Sequence, residues 1–362
     1  MTKTKIKSLR PTYAEIDLAA FGHNIEAARQ KAGTDIIAIV KADGYGHGAM
    51  KLAAYAYEQH RVKRFGVATI LEGMILREYL GSEPMIFILG YVDEDFFDDV
   101  LEYNLILTMV DEKFAGCFNS YLGKQNRHAY VSVKIDTGMN RLGFSPDMVW
   151  ADFLNRYENL RPIHVMSHLS SSDSDVEYSA SQIEIFDSYI KRNNITCHSS
   201  LYNSSGVSGF DNKFSLARPG LMLYGYIYGE NSVTLKKVMR IYSKVVHVKQ
   251  IRKGEAVSYN RRFFAQKDMT YGVVPIGYAD GYQRCFTNVS HMLVNGVKCP
   301  VIGTICMDMT MIDLSGVDTN GEMVVEILGD NIGADQWAEW AGTISYEMLC
   351  GISDRIPRIY IG

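Results

Sequence analysis

The apolar and polar positions of this 362-residue chain fall into two regimes. From residue 35 to about residue 226, short runs rich in β-branched residues alternate with charged, amphipathic stretches. The runs are DIIAIVK (35–41), FGVATI (65–70), MIFILG (85–90), LILTMV (105–110), AYVSVKI (129–135), PIHVMSH (162–168), ITCHSSLY (195–202) and the pair LAR–LMLYG (216–225). Near-continuous apolar strands alternating with helices predict a parallel sheet covered on both faces. Eight such units predict an α/β fold of the (β/α)8 TIM-type barrel kind over residues 10–235. An open doubly wound sheet is the alternative, but the first βα turn lacks the G-x-G-x-x-G pattern usual there.

Beyond about residue 235 the period changes. VMRIYSKVVHVKQI, TYGVVPIGY, HMLVNGVKCPVIG and EMVVEILG read as strands, and Asn295-Gly296 between two apolar runs signals a tight hairpin. One helix stands out, at ADQWAEWAG. Residues 236–362 therefore read as a C-terminal all-β domain. RPTYAEIDL near the N-terminus alternates like a strand and precedes the first barrel helix, AAFGHNIEAARQ. That strand, within residues 1–18, is expected to join the β domain.

Charge and cysteine content narrow the class without identifying it. Lys+Arg 37 against Asp+Glu 41 gives a formal charge of −4, which offers no basic footprint for nucleic acid. The six cysteines form no C-x-x-C pair and read as reduced thiols. The basic start MTKTKIKSLR has no apolar stretch after it, and PMIFILGYV is too short to span a bilayer. A cytoplasmic protein with no membrane part is the expectation.

In a barrel, the loops after the strands carry the chemistry. Those positions hold Lys41 with Tyr45 and His47; Lys134, Asp136 and Arg141; His168; Tyr202-Asn203-Ser204-Ser205-Gly206; and Arg218-Pro219-Gly220. A lysine at the end of a buried strand can lose its proton by desolvation and form a Schiff base. Asn-Ser-Ser-Gly and Arg-Pro-Gly offer hydroxyls and N–H groups to a phosphate. A histidine can orient an aromatic ring. Aldehyde, aromatic ring and phosphate together describe pyridoxal 5'-phosphate. Blander readings compete at each position. Lys41 is a solvated charge, GYGHG a tight turn with His47 structural, Tyr259 an ordinary strand tyrosine. His164 and His168 share a strand face, but no carboxylate or cysteine completes a metal set, so no metal is expected.

VKADGYGHG, KIDTGMNRLGF, the SH…NSSG…RPG series, VSYNRRF, PIGYADGYQR, GTICMDMT and ISDRIPR resemble, in order and over nearly the whole chain, the motif series of the alanine racemases. The resemblance implies a barrel plus β domain, a homodimer with shared active sites, pyridoxal phosphate as cofactor, and L-alanine to D-alanine racemisation supplying D-amino acid for peptidoglycan. It implies that Lys41 carries the cofactor and is one base, and that Tyr259 from the partner subunit is the other. Tyr45, Ser204, Gly220 and Leu221 match phosphate contacts, with Asn203 beside them. His168 matches the ring contact, and Arg218 the arginine that faces the pyridine nitrogen. Arg141, Met307 and Asp308 match the substrate-carboxylate side. Lys134 matches a lysine carbamylated in many members. Two bases suit racemisation, because a single base tends to return the proton to the face it left. Arginine at the pyridine nitrogen keeps its own proton and so leaves that nitrogen unprotonated.

Two positions depart from the family pattern: Asn140 in GMNR, a smaller departure with no function attached, and one in the C-terminal motif. Where the motif usually has tyrosine, this chain has Asp354, which predicts a larger, more polar pocket and raises a serine racemase or broader amino-acid racemase as the alternative. A decarboxylase on the same architecture would be expected to carry an acidic residue where Arg218 stands. A non-catalytic cofactor carrier would lack the β domain and Tyr259.

Overall fold

The computed structural model describes residues 10–229 and 232–362. The strands are, in chain order, β1 (Tyr13–Asp17), β2 (Asp35–Ile36), β3 (Ala38–Ile39), β4 (Arg64–Val67), β5 (Met85–Ile88), β6 (Ile106–Met109), β7 (Ala129–Lys134), β8 (Leu160–Met166), β9 (His198–Ser200) and β10 (Leu216–Ala217). They continue as β11 (Met239–Lys244), β12 (His247–Ile251), β13 (Ala256–Val257), β14 (Phe263–Phe264), β15 (Met269–Val274), β16 (His291–Val294), β17 (Val297–Pro300), β18 (Thr310–Asp313), β19 (Val324–Leu328) and β20 (Arg358–Ile361). The chain divides into two compact units, Ala20–Lys236 and the described residues up to Ala19 taken with Lys237–Gly362.

The first unit is a parallel barrel. Its sheet runs β2-β10-β9-β8-β7-β6-β5-β4-β3. β2 and β3 are two halves of the first predicted run, one pairing with β10 and the other with β4, so the ring closes. Each of the eight apolar runs contributes a strand here. They lie in a barrel because Val, Ile and Leu on both faces need cover on both sides: Ile86, Ile88, Leu107, Met109, Val131, Val133 and Val165 are all buried. The last run differs from its reading as a strand pair. Only Leu216–Ala217 is extended, and Leu221–Tyr224 forms a 3-10 turn. The reason is local: the N–H groups of Gly220 and Met222 both donate to Ser204 Oγ, at 3.0 and 3.1 Å, which curls the chain away from a ladder.

The second unit is mostly β. A six-stranded sheet runs β17-β16-β19-β11-β1-β20, and smaller sheets are formed by β12-β15-β18 and β13-β14. β1 pairs antiparallel with β11 and parallel with β20, so the N-terminal strand lies in the β unit. VMRIYSKVVHVKQI is two strands in different sheets. Val245 N–H bonds to Met323 while Val246 N–H bonds to Val273, and the change of partner breaks the run. The hairpin at Asn295-Gly296 has φ of 49° and 84°, the double positive φ that a type I′ turn requires. Two helices occur, Ala334–Ala341 and Ser345–Cys350. The second has six residues, too few to show a 3.6-residue period. Trp337 anchors the first, donating from Nε1 to Ile327 O at 3.1 Å. The fully buried carboxylate of Asp280 is held by Arg10 at 2.7 and 3.1 Å.

Among the described residues no helix is long and apolar enough to cross a membrane.

Candidate active site

Lys41 opens a turn of unusual hand. Ala42, Asp43, Gly44 and Tyr45 have φ near +50 to +60° with ψ near +45 to +50°, so the backbone makes one turn of left-handed helix. Each non-glycine residue there costs roughly 1–2 kcal/mol, so Ala42, Asp43 and Tyr45 need outside support. Glu72 supplies part of it. Its carboxylate accepts the N–H of Ala42 at 2.7 Å while also capping its own helix through Ala68 and Thr69. Asp43 Oδ1 accepts Ala49 N–H at 2.8 Å. The rings of Tyr45 and His47 both pack on Tyr224, with centroids 4.7 Å apart in each case, and Tyr224 Oη donates to Ile39 O. His47, ambiguous in sequence, is wholly buried with Nδ1 2.8 Å from Tyr45 O. It is part of the scaffold of the turn.

Tyr45 meets the eighth strand's loop. A methyl group on Gly220 would lie 2.4 Å from Tyr45 Oη, so only glycine leaves that space. Ser204 Oγ stands at the same place through its bonds to Gly220 and Met222. Asn203 caps the short helix Ser204–Gly209: its Oδ1 accepts Gly206 N–H at 2.9 Å and the Ser172 hydroxyl at 2.8 Å. Phenol, serine hydroxyl and the backbone of Gly220–Met222 thus meet at one place, with the Gly220 and Met222 N–H groups held on Ser204 Oγ.

Beside it is a set of cations. Arg218 is buried and donates to Ser200 Oγ and to Ser167 O, with His168 Nδ1 at 3.4 Å. Burial pushes its guanidinium down to about 9, which still leaves it charged at neutral pH. His168 is held well below its usual range by burial, then by the cations Arg218, Lys134, Arg141 and Lys41. All four basic groups of the predicted site thus act electrostatically on this one imidazole. Lys134 is lowered to about 8 by burial and by Arg141 and Arg218, with Asp136 opposing. Asp136 also shapes the loop, accepting the N–H groups of Gly138 and Asn140. Asn140 sits at φ 55°, a conformation asparagine tolerates better than most residues. Arg141 is exposed.

The β unit carries the other predicted residues. Tyr259 follows Ser258 at φ 66° and precedes Asn260 and Arg261, also at positive φ, on a loop whose backbone is tied to Thr304 Oγ1 at 2.8 Å. Its side chain is 67% exposed. Met307 and Met309 are exposed, and the N–H groups of Tyr278 and Ala279 bond to the carbonyls of Cys306 and Met307, setting Tyr278 beside that segment. Asp308 accepts from Arg355 at 2.7 Å. The exposed Asp354 neighbours Arg355 in sequence and accepts from Ser353 Oγ at 3.3 Å.

The motif reading did not reach Glu72, Ser200 or Gln182. Glu72 looks in sequence like a helix-capping residue, which it also is. Gln182 lies inside a helix and ties Thr137, Ser170 and the His168 carbonyl together. No sequence signal marks these contacts, because each joins segments far apart in the chain.

Family models for the N-terminal and C-terminal domains of alanine racemase match residues 16–227 and 238–360. The chain is 35% identical to alanine racemase 1 of Clostridium acetobutylicum, covering 98% of this chain and 96% of that one. It is 37% identical to the alanine racemase of Geobacter sulfurreducens, covering 97% of each. Among solved structures, alanine racemase of Clostridium difficile 630 superposes with a TM-score of 0.91 at 30% identity, over 98% and 97% of the two chains. The alanine racemase of Bartonella henselae, with covalently bound pyridoxal phosphate, superposes at 0.90 with 28% identity over 97% and 99%.

Proposed function

This chain belongs to the alanine racemase family, and we propose that it interconverts L- and D-alanine using two bases, Lys41 and Tyr259 of a second copy. Pyridoxal phosphate, when bound, supplies the electron sink that makes the α-proton of an amino acid removable. The residues present fit that group. Lys41 would carry it covalently. Tyr45, Ser204, Gly220 and Leu221, with Asn203 beside them, would take its phosphate, and a side chain at Gly220 would press on Tyr45. Arg218 would face the ring nitrogen and His168 the ring.

Each residue then has a definite task. Lys41 Nζ takes or returns a proton on one face of the α-carbon, and the Tyr259 phenol does so on the other. Arg218 would donate a hydrogen bond to the ring without giving up its proton, which would keep the sink weak and disfavour loss of the carboxylate. Arg141, with the Met307-Asp308 segment, would receive the substrate carboxylate. The observation that carries this reading is that Lys41, Lys134, Arg141 and Arg218 all act electrostatically on His168, while Tyr45 meets the Gly220 backbone too closely for any side chain there. Support for the partner subunit comes from the 67% exposure of Tyr259 on a constrained loop, in a unit whose Tyr278, Met307 and Met309 are also exposed.

Polarimetry of the reconstituted protein with L-alanine should show rotation falling to zero. Carbon dioxide release instead would mean a decarboxylase, and an imine absorbance without turnover a carrier. Mixing a Lys41→Ala variant with a Tyr259→Phe variant should restore part of the activity through hybrid sites. No recovery after confirmed subunit exchange would rule out the shared site.

Lys134, with an amine pKa near 8 beside two guanidinium groups, is suited to carbamylation. Carbon dioxide adds to the neutral amine, a proton leaves, and an anion replaces a cation next to Arg141. Mass spectrometry under native conditions should show one added carbon dioxide, absent in Lys134→Ala. A second substrate reading rests on Asp354, whose exposed carboxylate adds polarity beside the Arg355–Asp308 pair. On that reading serine competes with alanine. The serine-to-alanine ratio of kcat/KM should drop in Asp354→Tyr, and an unchanged ratio would eliminate it.

A further inference from the structure

Four buried polar side chains cross the barrel interior on successive strands: Ser132 on β7, His164 on β8, Ser200 on β9 and Arg218 just after β10. Barrel interiors are ordinarily filled by layers of branched apolar residues, so a continuous polar row needs a reason. Ser132 is in register with His164 across β7 and β8. The His164 ring packs edge-on against Phe87 of β5, a strand not adjacent to its own, so it points into the interior.

The direction of every proton in the row follows from its end. A guanidinium can only donate, so Ser200 Oγ accepts from Arg218. The Ser200 hydroxyl proton must then go elsewhere, and His164 Nε2 lies 2.7 Å away. With Nε2 as the acceptor of that proton, the ring proton sits on Nδ1 and Nδ1 donates to Ser132 Oγ at 2.8 Å. Both ring nitrogens of His164 are occupied by serines. Protonated, His164 would have no acceptor for Nε2–H except the oxygen already facing Arg218.

We infer that His164 is a positioning residue for racemisation: as a neutral Nδ1–H imidazole it fixes the Ser200 rotamer, and Ser200 in turn aims the Arg218 guanidinium. Its neutrality agrees with burial and the nearby cations Arg218, His198 and Arg64, which hold its pKa well below the usual range. This rests on the reading of Arg218 as the group facing the cofactor ring.

Two measurements test it, and they fail separately. In the cofactor-free protein labelled with 15N-histidine, the resonance that disappears in His164→Gln should report the Nδ1–H tautomer. It should not titrate between about pH 5.5 and 9. An Nε2–H tautomer, or titration in that range, overturns the inference whatever the enzyme's activity. In the loaded enzyme, His164→Phe and His164→Asn both leave Ser200 without its acceptor. They should lower kcat about tenfold with KM for alanine nearly unchanged, as expected for one hydrogen bond lost, and shift the visible absorbance of the bound cofactor alike. His164→Gln, whose carbonyl oxygen can replace Nε2, should recover most of kcat and the absorbance. A Gln variant as impaired as the Phe variant overturns the inference. A wild-type protein that racemises nothing counts instead against the reading of the site.

Discussion

A single absent methyl group decides whether Tyr45 can meet the Gly220 backbone. Gly220→Ala would put a carbon 2.4 Å from Tyr45 Oη, and the phenol cannot withdraw because its ring is packed on Tyr224. Cofactor affinity, titrated by absorbance, should weaken at least tenfold, about 1.4 kcal/mol or more, while the fold survives. Glu72 makes the complementary case. It accepts three backbone N–H groups, one of them from Ala42 in the left-handed turn. Glu72→Ala should cost about 1–3 kcal/mol in unfolding free energy by leaving donors unmet. It should also loosen Lys41, read as a larger fall in kcat than Thr69→Ala gives. Lys41 and Gly220 were both visible in the sequence, as a lysine ending an apolar run and as part of Arg-Pro-Gly. Glu72 was not, since its partner Ala42 is thirty positions away and a capping glutamate looks the same whether or not it serves a second turn.

At the level of elements, the strand-and-helix period settled the barrel, and the positions after its strands held the candidate chemistry. What period could not show was where a run stops being a strand. Leu221–Tyr224 curls because Ser204 takes its N–H groups, and 239–251 divides because its two halves pair with different strands. The same limit hid the relay. Ser132, His164, Ser200 and Arg218 occupy four separate segments, and only barrel closure sets them side by side. Ser200→Ala removes the middle of the row and leaves a charged, buried guanidinium one acceptor short. It should lower the melting temperature more than Ser132→Ala, which ends the row, and calorimetry of the two variants checks the order.

For the molecule as a whole, the imidazoles of His164 and His168 should set an acid limit. His164 is neutral in the folded state, and His168 is held low by burial and four cations. In the unfolded chain each titrates near 6.5. Above that pH neither state binds the proton and nothing is lost. Below it the unfolded chain gains protons the folded one refuses, so stability falls as pH falls, by up to about 1.4 kcal/mol per pH unit for each histidine. Unfolding midpoints between pH 8 and pH 5 should show that slope, reduced in His164→Gln; an equal slope in that variant would assign the acid limit to other groups. Residue order alone determined the parallel barrel and the β region after it, and named the candidate side chains proposed for the site, because hydrophobic period and motif spacing are local properties carried along the chain. Tertiary structure alone decided the hand of the turn at Lys41, the steric need for Gly220 and the proton order from Arg218 to Ser132. Those depend on which distant groups meet at hydrogen-bond distance, and distance in space is what a linear pattern does not encode.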